Sequence, residues 1–94
     1  MKKLTIYVRY IAKKGYGEKF LKEVIENSIL EKIRKEEGCI RYDYFISLEN
    51  RDEILLLESW ENENFQKEHM KQDHMKNLKL IKDKYILDTM IDKI

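Results

Sequence analysis

A run of four large apolar residues, Ile54-Leu55-Leu56-Leu57, stands near the middle of a chain in which 39% of the residues are charged. The run belongs to residues 53–60, whose composition and boundaries predict a β-strand. Successive side chains of a strand point to opposite faces of its sheet, so the run puts apolar side chains on both faces. A sheet built around this strand therefore needs cover on both sides.

The remaining elements follow from the spacing of the apolar residues. Alternation predicts strands, and apolar side chains at helical spacing predict helices. In chain order, the elements are a strand at 4–12, a helix at 18–36, strands at 39–48 and 53–60, a second helix, and a last strand at 85–92. The second helix is capped by Asn62 and passes through Phe65, His69 and Met70. It is interrupted at Asp73 or His74 and resumes through Met75, Leu78 and Ile81. The order β-α-β-β-α-β predicts an α+β, ferredoxin-like fold, an antiparallel sheet with helices on one face. Without linkers or repeats, residues 1–94 are expected to form a single domain.

The second face of this sheet is the reason to expect a partner. Besides the apolar third strand, Tyr7 and Ile11 of the first strand and Phe45 of the second lie opposite the main apolar set of their strands. An exposed patch of that size is unusual for a soluble monomer. We therefore expect a homodimer that packs sheet against sheet.

Composition excludes several classes of function. The net charge is +1, which provides no basic field for nucleic acid. No apolar run approaches the roughly 18 residues of a membrane span, and Arg9 interrupts the N-terminal apolar stretch too early for a signal peptide. The one cysteine, Cys39, cannot form an internal disulfide, which indicates a cytoplasmic setting. Lys76, Lys79 and Lys82 are expected to form a solvated helix face.

Short motifs spread over the whole chain resemble those of a known family. They are Glu37-Gly38-Cys39-Ile40-Arg41-Tyr42, Glu58-Ser59-Trp60, His69 with His74 five residues on, and the turn Lys13-Lys14-Gly15 followed by Phe20. Together they resemble the antibiotic biosynthesis monooxygenase (ABM) domain, a family of the dimeric α+β-barrel superfamily. The family often has proline where this chain has Lys14.

The resemblance implies a pocket between sheet and helices, in which some members oxygenate phenols or quinols without metal or flavin. A bound phenolate is electron-rich enough to react with oxygen, so the protein needs an apolar cavity, a group that takes the phenol proton, and exclusion of water. On the matching positions it implies that His69 is the base, Trp60 a wall that stacks on the substrate, and Tyr42 a group that positions it. Each also has a structural reading, as an exposed histidine or a buried core aromatic.

Four further residues are candidates for the substrate pocket. Glu58 lies in a strand expected to be buried, where a carboxylate needs a partner or a raised pKa. Tyr44 lies on the same side of the second strand as Tyr42, Tyr7 lies on the first strand, and His74 lies where the second helix is expected to be interrupted. For Glu58 a structural role, as a hydrogen-bond partner of a neighbouring side chain, stays open.

No metal or other cofactor is expected. Five residues advance a helix by about 140° beyond one turn, so the rings of His69 and His74 diverge unless the helix breaks between them. A zinc site also needs a third ligand, and Cys39 is remote in the sequence.

Three alternatives to a quinol monooxygenase stay open. The first is haem binding or degradation. Relatives that degrade haem carry an asparagine on the first strand, and residues 2–12 contain none, so this function cannot be carried over from them. A non-catalytic dimeric module that binds a small ligand would use the same pocket. An isomerase of a small phosphorylated metabolite would depend on tyrosine hydroxyls and on Arg9 or Arg41.

Overall fold

Four antiparallel strands form one sheet in the computed structural model, which describes residues 2–94. In chain order the elements are β1 (Leu4–Ala12), α1 (Gly17–Glu26), α2 (Ile29–Arg34), β2 (Cys39–Ile46), β3 (Glu53–Trp60), α3 (Glu63–Met70), α4 (Asp73–Tyr85) and β4 (Ile86–Lys93). The strand order is β2-β3-β1-β4. This confirms the ferredoxin-like fold, with each helical segment of the β-α-β-β-α-β plan divided in two.

One face of the sheet and the inner sides of the helices form the core. Alternate residues of β1 and β3 belong to this core, such as Val8 opposite Leu56, as the strand pattern predicts. The helices contribute side chains with no exposed surface: Phe20, Val24, Ile29, Ile33 and Leu78. None of the helices in residues 2–94 is long and apolar enough to cross a membrane.

The first predicted helix is interrupted, where the sequence had suggested one helix over 18–36. Ser28, between α1 and α2, adopts a left-handed conformation with φ 59°. The Asn27 side chain donates to the carbonyl oxygen of Glu23 at 2.7 Å, so a short polar side chain competes for a carbonyl at the helix end. The break leaves Ile25 62% exposed while Ile29 is fully buried.

The second strand departs from strict alternation at its start. Cys39 lies opposite Trp60 and Arg41 opposite Ser59, so Ile40 is the extra residue of a bulge. Ile40 is consequently 50% exposed, although the alternation had placed it with the buried tyrosines. The strand also ends at Ile46, and Leu48 beyond it is 90% exposed.

Apolar side chains also occupy the sheet face opposite the helices, as the double-sided pattern of β3 requires. Leu57 lies opposite Tyr7, and Leu55 lies between Arg9 of β1 and Phe45 of β2. Phe45 is 45% exposed. We call this surface the open sheet face.

Helix α3 is anchored at its start by a polar cap and an aromatic contact. The Asn62 side chain accepts from the backbone N–H groups of Asn64 at 2.9 Å and Phe65 at 3.3 Å, as expected for an N-cap. The Phe65 ring lies against Gly38 just before β2, so closely that a Cβ on Gly38 would stand 2.2 Å from the ring. This contact fixes the distance between α3 and the start of β2.

We predict that Gly38→Ala lowers the free energy of unfolding by about 2–4 kcal/mol, because it adds overlap with Phe65 to the cost of a left-handed alanine. Gly38 has φ +81°. Gly15→Ala is the matched control, because Gly15 has φ +85° but no atom within 4 Å of an added Cβ. Urea denaturation of both variants isolates the Phe65 contact, and equal losses would contradict its importance.

Candidate functional site

A cavity lies between the helix-facing side of the sheet and helices α3 and α4. Its volume is about 140 Å³, close to the ~150 Å³ of an engineered apolar cavity that holds benzene. Residues of β1, β4 and the two helices give it apolar walls, and its polar lining consists of Tyr10, Tyr42, Glu58, Gln66, His69, Lys82 and Thr89. We call it the inner cavity. It has the size for one six-membered ring surrounded by a few polar groups.

His69 is the most buried of these groups. Its side chain is 1% exposed, and its Nδ1 lies 2.9 Å from Oε2 and 3.1 Å from Oε1 of Glu36. A carboxylate only accepts hydrogen bonds, so Nδ1 carries a proton, and the tautomer that this bond selects has Nε2 as its basic nitrogen. The ring also packs against Trp60, with centroids 4.5 Å apart.

Glu36 joins the two histidines that the sequence singled out. His74 donates from Nε2 to Oε2 of Glu36 at 2.7 Å, and the Glu36 side chain is only 10% exposed. His74 does not line the inner cavity; it contributes through this carboxylate. Sequence reasoning missed Glu36, although it directly precedes the motif that begins at Glu37.

Glu58 lies in the cavity wall beside Trp60. The indole Nε1 donates to Oε1 of Glu58 at 2.9 Å, and Glu58 is 6% exposed. Burial raises the pKa of the Glu58 carboxyl, although the Trp60 hydrogen bond and electrostatic interactions with His69 and Lys82 oppose this. Trp60 is fully buried behind these side chains, so it supports both polar groups.

The tyrosines of β2 differ in their relation to the cavity. Tyr42 lines it, and burial raises the pKa of its hydroxyl, which keeps the phenol neutral. Tyr44 does not line it but packs edge-on against Tyr42 with centroids 5.8 Å apart. The buried Tyr44 hydroxyl has no hydrogen-bond partner among residues 2–94. Tyr10, which the sequence assigned only to the first strand, lines the cavity as well.

Tyr7 is the candidate that lies away from the others. It is on the open sheet face, where it lines a shallow cleft with Arg9 and Phe45. Lys82, in contrast, was expected on a solvated helix face but is half-buried and lines the inner cavity. Its Nζ lies 5.8 Å from the centre of the Tyr10 ring.

The structure thus brings Tyr42, Glu58 and His69 together, with Trp60 behind them. No group of three His, Cys, Asp or Glu side chains suited to a metal ion occurs within residues 2–94. A ferredoxin-like sheet with a partly polar cavity under its helices defines a small α+β domain with room for an organic ligand.

Comparison with known proteins identifies the family. The model of the antibiotic biosynthesis monooxygenase family matches residues 4–79, and the chain belongs to this family. The fold is similar to the crystal structure of PA3566 from Pseudomonas aeruginosa, with TM-score 0.88, 19% identity, and coverage of 100% of this chain and 93% of that one. A search of curated proteins gave no significant match.

Two further solved structures are similar. A conserved protein from Methanosarcina mazei Go1 has TM-score 0.86 and 26% identity, and the alignment covers 100% of this chain and 92% of that one. A structure described as an antibiotic biosynthesis monooxygenase has TM-score 0.82 and 21% identity, with coverage of 97% and 95% respectively. These likenesses extend over β4, which lies beyond the region matched by the family model.

We predict that Glu58→Gln stabilises the protein at pH 8 and that this gain shrinks as the pH falls to 4. The raised pKa of Glu58 means that folding is opposed by its ionised form; below the pKa of the unfolded chain both states are protonated and the penalty vanishes. Glutamine keeps an acceptor for Trp60. Urea denaturation at both pH values, with exposed Glu61→Gln as the control, measures the effect. A gain that does not change with pH would contradict the assignment.

Proposed function

We propose that this protein is a monooxygenase that inserts one oxygen atom into a small electron-rich aromatic compound such as a quinol, with His69 as the base. The observation that carries the proposal is the single-ring cavity lined by a buried histidine whose Nδ1 is held by Glu36. This arrangement presents a basic Nε2 with a defined tautomer to a bound phenol.

The reaction needs no external reductant, because the quinol supplies the electrons. His69 takes a phenol proton, and the resulting anion transfers electrons to O₂. One oxygen atom forms a bond to a ring carbon, and the other leaves as water. Hydroquinone and O₂ thus give hydroxyquinone and water in equal amounts. We propose that the protein carries no cofactor.

The other candidates have supporting roles in this proposal. Tyr42, held neutral by burial, donates a hydrogen bond to a substrate oxygen. Trp60 forms the wall behind the His69 ring and holds Glu58. Tyr44 and His74 pack against or bind these groups, and Tyr7 belongs to the open sheet face and acts only through assembly.

We propose further that the protein is a homodimer joined through its open sheet faces. Leu55, Leu57 and Phe45 place neighbouring apolar side chains there, next to the charged Arg9 and Asp43, and burial of the apolar side chains favours association. The dimer would be a barrel of two sheets, as in the α+β-barrel superfamily. Its setting is the reducing cytoplasm, where a single cysteine stays a free thiol.

The alternative isomerase function finds less support in the positions of the arginines. Arg9 pairs with Glu53 at 2.7 Å on the open sheet face, and Arg41 pairs with Asp43 at 2.7 Å. Neither lines the inner cavity, so a phosphorylated metabolite there would not meet them. A non-catalytic ligand-binding module would use the same cavity and is separated from the enzyme only by turnover.

We predict that the protein consumes O₂ with simple hydroquinones and that His69→Gln lowers kcat by about 10²–10⁴, the contribution of a positioned base. An oxygen electrode follows the reaction, and mass spectrometry with ¹⁸O₂ detects the labelled hydroxyquinone. Added catalase should return no O₂, because monooxygenation produces water and not peroxide.

The controls for this prediction separate chemistry from folding. Circular dichroism should show that His69→Gln is folded, and Trp60→Ala should also lose turnover. Added imidazole should partly restore activity to His69→Ala if the missing group is a base. Absence of turnover with every hydroquinone, or full activity in both His69→Gln and Trp60→Ala, would refute the proposed function.

For the dimer, we predict that the wild-type protein has twice the mass of the chain by light scattering at micromolar concentration. Leu57→Glu should produce monomers, because it puts a charge at the centre of the open sheet face. Leu80→Glu is the matched control, since Leu80 is 68% exposed on α4 and lies away from that face. A wild-type monomer would exclude the assembly.

A further inference from the structure

A second, larger cavity leads into the inner one. Its volume is about 470 Å³, and it shares Met70, Met75, Lys82 and Thr89 with the inner cavity. The outer cavity has three lysines in its wall, one of which, Lys82, stands where the two cavities meet. A ligand whose ring fills the inner cavity therefore extends past Lys82.

The three lysines differ in how their charges are balanced. Lys79 pairs with Asp83 at 2.9 Å, and Lys76 with Asp73 at 3.5 Å. Lys82, also in the wall, has no carboxylate oxygen within 4 Å among residues 2–94. It is therefore the cation that protein carboxylates leave unpaired at the junction.

Burial makes this unpaired position unfavourable for the empty protein. Removal from water lowers the pKa of the Lys82 ammonium, and the more distant Glu58 only partly compensates. A half-buried charge is stabilised when a partner of opposite sign replaces the lost water. The ring of Tyr10, with its centre 5.8 Å from Nζ, provides only a weak cation–π contact.

We infer that the natural ligand is an aromatic acid: a single phenolic ring in the inner cavity, with a carboxylate or phosphate substituent bound by Lys82 at the junction. The size of the inner cavity supports this division, because about 140 Å³ is filled by a ring with its hydroxyl groups. The carboxyl of Glu58 lines the inner cavity and repels an anion when it is ionised, so the charged group faces the outer cavity. The inference rests on the proposed function only for the phenolic nature of the ring.

Binding measurements test the inference without turnover. Anaerobic calorimetry, in a buffer free of phosphate and sulfate, compares 2,5-dihydroxybenzoate, its neutral methyl ester and 4-hydroxyphenyl phosphate. At least one anion should bind about tenfold more tightly than the ester, as expected for one charge-assisted hydrogen bond. The tighter of the two anions identifies carboxylate or phosphate as the recognised group, and added salt should reduce the preference.

Variants assign the preference to Lys82. Lys82→Met should abolish the difference in affinity between the anions and the ester, and Lys82→Arg should retain that difference. Lys82→Gln repeats the test with a polar side chain should the methionine variant fold poorly. Lys19→Met is the matched control, because Lys19 also lies over a tyrosine ring, at 5.0 Å from that of Tyr16, but outside both cavities.

The outcomes distinguish this inference from the proposed function. Equal binding of ester and anions, a preference that survives in Lys82→Met, or no binding of any of the three compounds would overturn it. Turnover of the ester as fast as the acid would keep the monooxygenase and exclude the anion site. Selective, Lys82-dependent binding of an anion without O₂ consumption would support the anion site and count against the monooxygenase.

Discussion

The site depends on the two hydrogen bonds that the Glu36 carboxylate accepts from histidines. Glu36 follows α2, yet it accepts hydrogen bonds from His69 on α3 and from His74 on α4. A buried carboxylate needs such donors, and here they come from the two helices that roof the inner cavity. The same interaction therefore holds these helices over the sheet and fixes which nitrogen of His69 stays basic. Structure and proposed chemistry share one side chain, which is why a change at Glu36 would alter both.

The two faces of the central strand β3 have different surroundings. Leu56 and Glu58 point toward the helices and build the core and cavity wall, whereas Leu55 and Leu57 point to the open sheet face. A charged residue is tolerated in this buried strand because Trp60, two residues on and on the same face, donates to Glu58. Alternation in one strand thus places the inner cavity and a surface suited to self-association on opposite faces of the sheet.

Much of the fold could be predicted from the sequence because it depends on periodicity. The strand β1 and its buried parity, the strand β3 and the Asn62 cap all follow from local pattern. The break at Ser28 and the bulge at Ile40 could not be predicted, because one depends on a single left-handed residue and the other on the pairing partner. Motif resemblance singled out His69 and Glu58, which line the inner cavity, but Glu36 and Lys82 resembled ordinary surface charges. Only the tertiary structure buries these two side chains.

The two ionisable groups on either side of the cavity point to a coupling between ligand and proton. Burial shifts the pKa of Glu58 upward and that of Lys82 downward, because removal from water disfavours the charged form of each group. A bound anion beside Lys82 would stabilise the ammonium and raise its pKa again. The phenol proton, released at the other end of the ligand, would still have His69 as its acceptor, since that ring is held by Glu36 and not by the group that recognises the anion.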